Sequence, residues 1–143
     1  MESVPWSALT KAAPTLAEFG ERRMATAPSY LATVRGEGLP RVHPVAPQVR
    51  SGHLCVYMYP TSPKGKDLRL DGRYALHTFV PDNDGSGGEF HLRGHGRQVE
   101  DPTTVGFPAR EGYVLFELLL DEATAVNYPD EGPPDRQSWR RTA

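Results

Sequence analysis

Ser62, Lys64 and Lys66 fall together in the stretch Tyr59-Pro-Thr-Ser-Pro-Lys-Gly-Lys-Asp-Leu-Arg-Leu-Asp-Gly72. The pattern predicts a strand end, a tight turn and a short helix. A serine followed by proline suits a helix N-cap with proline at the first helical position. Both lysines then lie in the first turn, where the helix dipole is positive and cations are disfavoured. A bound anion accounts for that placement, because free N–H groups, a hydroxyl and ammonium groups together cradle a phosphate. The alternative is a solvated basic turn.

A second set of polar side chains alternates along one strand-like run: His91, Arg93, His95 and Arg97, with Gly94 and Gly96 between them. Alternation puts the four basic residues on one face and the glycines on the other, where another backbone or a flat ligand can come close. Such a stripe lines a cleft and stabilises negative charge, or it is the solvent side of an antiparallel strand. A metal pair at His91 and His95 is disfavoured, since about 3.3 Å per residue sets them some 13 Å apart. His43, before Pro44, has an unperturbed pKa near neutrality and is a candidate general acid or a plain strand residue. His77 reads as a hydrogen-bonded barrel residue. No hydrolase triad, phosphate-binding Walker loop or dinucleotide glycine fingerprint is present, and no catalytic residue is assigned.

Proline and glycine, 14 each, punctuate a chain of 143 residues into short segments. Leu9, Ala13, Leu16, Phe19 and Met24 recur at helical spacing over 7–25, with Pro14 dividing two pieces. Strands are expected at 30–35 and 41–46, joined as a hairpin by Gly36-Glu-Gly-Leu-Pro40, and at 53–59. Pro44 and Pro47 cannot donate ladder hydrogen bonds, so the second strand needs a free edge or a bulge. The short helix ends near Leu70, Asp71-Gly72 stops it, and strands follow at 73–80 and 89–100 around a polar loop at 81–88. A helical turn is expected within 102–110. Tyr113-Val-Leu-Phe-Glu-Leu-Leu-Leu120 suits a strand buried on both faces, continued by 123–128 after a kink at Asp121-Glu122. These elements predict a mainly β fold with short helices, a small antiparallel barrel with one helix in a crossover. One domain over 1–128 is expected, then a polar tail at 129–143 that is apolar only at Trp139.

Charged residues at 24%, hydrophobic residues at 38% and a formal net charge of −2 describe a soluble globular chain, without the basic excess of a nucleic-acid binder. No apolar run reaches the length of a membrane span, and Met1 to Ala13 lacks the apolar core of a secretory signal. The single cysteine, Cys55, excludes an intrachain disulfide and fits a reducing cytoplasm. It lies in an apolar run and reads as a core residue, not a nucleophile.

In this order, hairpin, strand, lysine-bearing turn, helix and Arg-Tyr-Ala-Leu-His77, the chain resembles the flavin-binding split-barrel family. Pyridoxamine 5′-phosphate oxidase typifies it, and it includes deazaflavin-dependent reductases. The likeness is carried by Leu31-Ala-Thr-Val-Arg-Gly-Glu-Gly-Leu-Pro-Arg-Val-His-Pro-Val45, by Ser62 to Asp71 with Tyr74-Ala-Leu-His77, and by Leu92-Arg-Gly-His-Gly-Arg-Gln-Val99. It implies a six-stranded antiparallel split barrel, a homodimer and a flavin-type cofactor in each of two interface clefts. It also implies that Ser62, Lys64 and Lys66, with Thr61 as an accessory hydroxyl, hold the cofactor phosphate. Val45 and Tyr59 would lie against the ring or ribityl part, and the basic stripe and His43 beside the cofactor. The cofactor would be FMN or the deazaflavin F420.

The activity so implied is hydride transfer to or from a small organic substrate. Vitamin B6 oxidation fits poorly, because the tail Gln137-Ser-Trp-Arg-Arg141 holds no copy of the substrate-phosphate set. Trp139 and Arg140 would instead pack across the dimer or cover the cleft, unless the tail is simply solvated. Two alternatives remain: a haem-binding or haem-degrading split barrel, and a non-catalytic flavin-storage or redox-sensing module.

Overall fold

The computed structural model describes residues 2–142. Two helices, α1 (Trp6–Ala12) and α2 (Pro14–Thr26), divide at Ala13 as Pro14 requires. Their apolar stripe puts Trp6, Leu9, Leu16, Ala17 and Met24 into the main core. Gly20 lets that helix settle on the ring of Phe90, which also meets Trp6 and Phe19 edge-on with centroids 6.0 and 6.4 Å away.

Eight strands follow: β1 (Ser29–Val34), β2 (Pro40–Val45), β3 (Gln48–Arg50), β4 (His53–Met58), β5 (Arg73–His77), β6 (Glu89–Val99), β7 (Val114–Asn127) and β8 (Asp135–Arg140). The helix α3 (Pro63–Leu70) crosses between β4 and β5. The hydrogen-bonded order is β2-β1-β5-β6-β7-β4-β3, all neighbours antiparallel. Its two ends, β2 and β3, are consecutive in the chain and separated only by Ala46 and Pro47. They act as one strand broken at a proline, which switches partner from β1 to β4. Counted so, six strands close a ring, the expected antiparallel barrel. Pro44 pairs with Tyr30 at the free end of the order, where a missing N–H costs no ladder bond.

The long strand β7 joins the two halves. Its first part pairs with β4, its second part with β8, and β6 lines its whole length. The register steps from Arg93–Glu122 to Gly94–Leu120, so Asp121 is the extra residue of a bulge. This is the kink expected at Asp121-Glu122, realised inside one strand instead of between two. Residues 135–140, read from sequence as part of a polar tail, form β8. Trp139 packs against this chain's own main core, and Arg140 pairs with Glu122. Backbone pairing to β7, which composition does not reveal, makes the strand, so Trp139 is not a free lid.

No helix is long and apolar enough to cross a membrane among the described residues. Cys55 is buried beside Val99, Val105, Phe107 and Leu115, and burial pushes its thiol up to about 12, consistent with a core residue. The helical turn expected within 102–110 is one 3-10 turn, Pro102–Val105.

Gly94 and Gly36 separate space from composition. A Cβ on Gly94 would overlap the Leu119 carbonyl, a backbone group that also accepts from Tyr74 Oη at 2.9 Å; at Gly36 nothing lies within 4 Å. Gly94→Ala should cost about 2–4 kcal/mol and Gly36→Ala no more than about 0.5 kcal/mol, read from urea midpoints at constant m value. Equal shifts would contradict the packing at the bulge.

Candidate functional site

The candidate site forms where α3 lies against the turn end of the β1–β2 hairpin, at the Thr33–Arg41 pair. Gly65 permits the approach, since a Cβ there would press on Met58 Sδ at 3.0 Å and Phe116 at 3.3 Å. Asp67 then fixes the helix. Its carboxylate accepts from Thr33 Oγ1 of β1 at 2.7 Å and from Arg41 Nε of β2 at 2.8 Å. Asp67 and Thr33 are both buried, and Arg41 is half-buried. Neither Asp67 nor Arg41 was expected at the site from sequence. The signal was there: Arg41, His43 and Val45 alternate on β2 and share the face that meets α3.

Ser62 occupies the N-cap position and Pro63 the first helical position, as expected, and Ser62 O accepts from Lys66 N at 3.1 Å. The serine hydroxyl does not cap the helix. Instead it accepts from Lys64 Nζ at 2.9 Å, leaving both groups together above the first turn. Burial holds the Lys64 ammonium below its ordinary value. His43 is held low too, first by burial and then by the positive charges of Lys64 and Arg41, against a smaller opposing pull from Asp67. Its Nε2 is shut off from solvent and has no hydrogen-bond partner. Buried nitrogens of this kind are rare and call for a partner.

The other expected site residues are spread more widely. Lys66 and Thr61 are exposed. Val45 turns its side chain into the main core, so only its backbone is available to a ligand. Tyr59 is 64% exposed and stacks on Tyr113 at 5.0 Å, with the Arg110 guanidinium 4.2 Å from the far ring. The structure therefore brings Ser62, Lys64, His43 and Arg41 together, and leaves Lys66, Thr61 and Tyr59 at the rim.

The basic stripe of β6 does face outward, but β7 neutralises much of it. Arg93 pairs with Glu122, Arg97 with Glu117 at 2.7 Å and His95 with Asp121 at 3.5 Å. Glu117, almost wholly buried, also takes His53 Nδ1 at 2.6 Å. The stripe is thus the paired polar side of an antiparallel strand over most of its length. No group of three metal-ligating side chains is assembled among the described residues. His91 differs: it stacks on His77 at 5.8 Å and, with Tyr30, Val42 and Ala75, lines an outer-face groove of about 570 Å³. Burial first, then His77, lowers the His91 pKa. His77 itself is hydrogen-bonded as expected, to Thr78 O at 2.7 Å and Glu89 at 3.1 Å.

No protein-family model and no curated protein matches the chain. Solved structures do. The chain is similar to PhzG from Burkholderia lata 383 in complex with tetrahydrophenazine-1-carboxylic acid, at 14% identity and TM-score 0.67, over 98% of this chain and 88% of that one. It is similar to a Clostridium acetobutylicum protein of the pyridoxinephosphate oxidase family, related to general stress protein 26, at 11% identity and TM-score 0.61, over 94% and 95%. A heme binding protein from Mycobacterium smegmatis is similar at 16% identity and TM-score 0.63, over 83% and 57%. These likenesses show the fold: an antiparallel split barrel. Its members among the neighbours include both oxidase-family and haem-binding proteins.

Removing the Asp67 carboxylate tests what holds the site. Asp67→Ala strands a buried Thr33 hydroxyl and an unpaired Arg41, and should lower stability by about 2–4 kcal/mol in urea unfolding. Asp67→Asn can still accept from Thr33 and should lose distinctly less. Equal losses would mean the Thr33 hydrogen bond contributes nothing and the Arg41 ion pair carries the whole effect.

Proposed function

We propose that this chain binds a flavin-type cofactor through its phosphate at Ser62 and Lys64, and works as a small oxidoreductase. The observation that carries the reading is a surplus of positive charge without an anion. Lys64, Arg41 and His43 converge, and the one carboxylate among them, Asp67, is occupied by Arg41 and Thr33. The unpartnered His43 Nε2 and the desolvated Lys64 fit a phosphate group. FMN and F420 both carry one, with FMN as the first candidate to test and F420 the alternative.

Each residue has a separable part. Lys64 Nζ and Ser62 Oγ hold the phosphate, while the amides at the start of α3 add donors. Backbone groups of the Val45 region hold the ring edge, and the protein supplies position and electrostatics to the bound group. A bound flavin or deazaflavin supplies hydride transfer to or from a small organic substrate. That division explains why no nucleophile or acid–base pair stands out in the chain.

A homodimer completes the reading. The outer face of β2, β1, β5 and β6 exposes Tyr30 at 41% and Val42 at 62% beside Ala32 and Ala75. An apolar sheet face of this kind fits a second copy, which would wall the groove over His91. Haem is the second reading. His91, unlike His77, makes no hydrogen bond among the described residues and looks into that groove.

Purified protein should be yellow, or bind added FMN in a fluorescence titration. Lys64→Ala should weaken that binding by about tenfold or more, roughly 1.4 kcal/mol, with the apoprotein's thermal midpoint nearly unchanged. Lys66→Ala should have a smaller effect. FMN binding indifferent to Lys64 sinks the phosphate assignment, whereas a Soret shift on haem titration that is lost in His91→Ala favours the haem reading.

Light scattering during gel filtration should give a dimer for the wild type. Tyr30→Glu with Val42→Glu should give a folded monomer; a dimer unaffected by both would place the interface elsewhere.

A further inference from the structure

We propose that His43 is a proton-coupled arm of the anion site: a phosphomonoester that docks on Ser62 and Lys64 draws a proton from solvent onto Nε2, which then donates to a phosphate oxygen. The inference rests on the phosphate reading of the Ser62–Lys64 turn and goes beyond it by naming a titrating residue and a charge class.

The geometry carries it. His43 stands on β2 two residues from Arg41 and on the same face, within reach of the Lys64 and Arg41 charges, and its partner on β1 is the apolar Leu31. Asp67 is the only acid facing it from α3, and that carboxylate is engaged by Thr33 and Arg41. Closed to solvent, Nε2 has no acceptor among the described residues to give a hydrogen bond to until one arrives with the ligand. Burial first, and then the two neighbouring cations, disfavour its protonation while the site is empty; a dianion placed among the three groups reverses the sign of the field at the ring. The ring then becomes a charged donor, and one solvent proton enters with the ligand.

Linkage fixes the sign. Binding raises the His43 pKa from its depressed free value, so affinity is highest at the acid side and falls as pH rises between the free and bound pKa values. The slope approaches about tenfold per pH unit where one full proton is taken up. A second phosphate pKa near 6 limits the useful range to pH above about 6.5. A neutral ligand such as riboflavin leaves His43 untouched.

Isothermal titration calorimetry of the full chain with FMN, in buffers of low and high ionisation enthalpy between about pH 6.5 and 8.5, measures the proton count directly. The wild type should take up a substantial fraction of a proton with FMN and none with riboflavin. His43→Gln keeps a donor that does not titrate; it should bind FMN with no linked uptake and a flatter pH profile. Equal uptake and slope in wild type and His43→Gln, with binding still weakened by Lys64→Ala, would overturn the role of His43 and leave the phosphate reading standing. No FMN binding, or binding indifferent to Lys64→Ala, would overturn both.

Discussion

The candidate site of this molecule depends on one buried carboxylate. Asp67 ties its own helix α3 to a hairpin remote from it in sequence, to β1 through Thr33 and to β2 through Arg41. Buried ion pairs are weak contributors to net stability, because desolvation offsets most of their Coulomb energy. Their effect is directional: α3 can lie in only one place if Asp67 is to keep both partners. Gly65 lets the helix approach the sheet, and Asp67 decides where along it the helix stops. The turn at Ser62 is therefore held by the barrel wall, not by a loop alone.

That arrangement also sets the local charge. Asp67 is engaged twice, by Thr33 and Arg41, so it is not paired with Lys64 as well. Lys64 is desolvated, and its only side-chain hydrogen bond among the described residues is to the neutral hydroxyl of Ser62. Elsewhere on the surface the chain does the opposite. Along β6 the arginines and His95 are matched by acids on β7, and even the buried Glu117 is shared by Arg97 and His53. A chain that balances charge so closely along one sheet leaves it unbalanced at one helix start, and that contrast marks the site.

Much of this was legible in the residues. Pro14, Pro63, the glycine turn at 36–38 and the Asp121 kink each forced a local geometry, and each element lies where those constraints put it. Strand β8 was not legible, since its polar residues become a strand only through pairing with β7. The site was half legible. Two lysines separated by two positions on a helix point about 200° apart, so they cannot both address one ligand. Simple helical geometry thus predicts that one faces the barrel and one faces solvent, as Lys64 and Lys66 do. Which one turns inward depends on Asp67. It lies three residues beyond Lys64, on the same helical face, and is already committed to β1 and β2.

The same logic explains why Ser62 does not cap its helix. A serine in that position ordinarily satisfies a first-turn N–H and is worth about 1 kcal/mol for doing so. Here Oγ accepts from Lys64 Nζ instead, although the backbone at Ser62 still begins the helix. The first-turn amides are thereby left to another acceptor, and the hydroxyl and ammonium are held side by side. A cap that satisfied the helix internally would stabilise the empty protein and close the position an anion needs. Giving up the side-chain cap while keeping the capping residue is what the proposed anion-binding turn requires and a purely structural one does not.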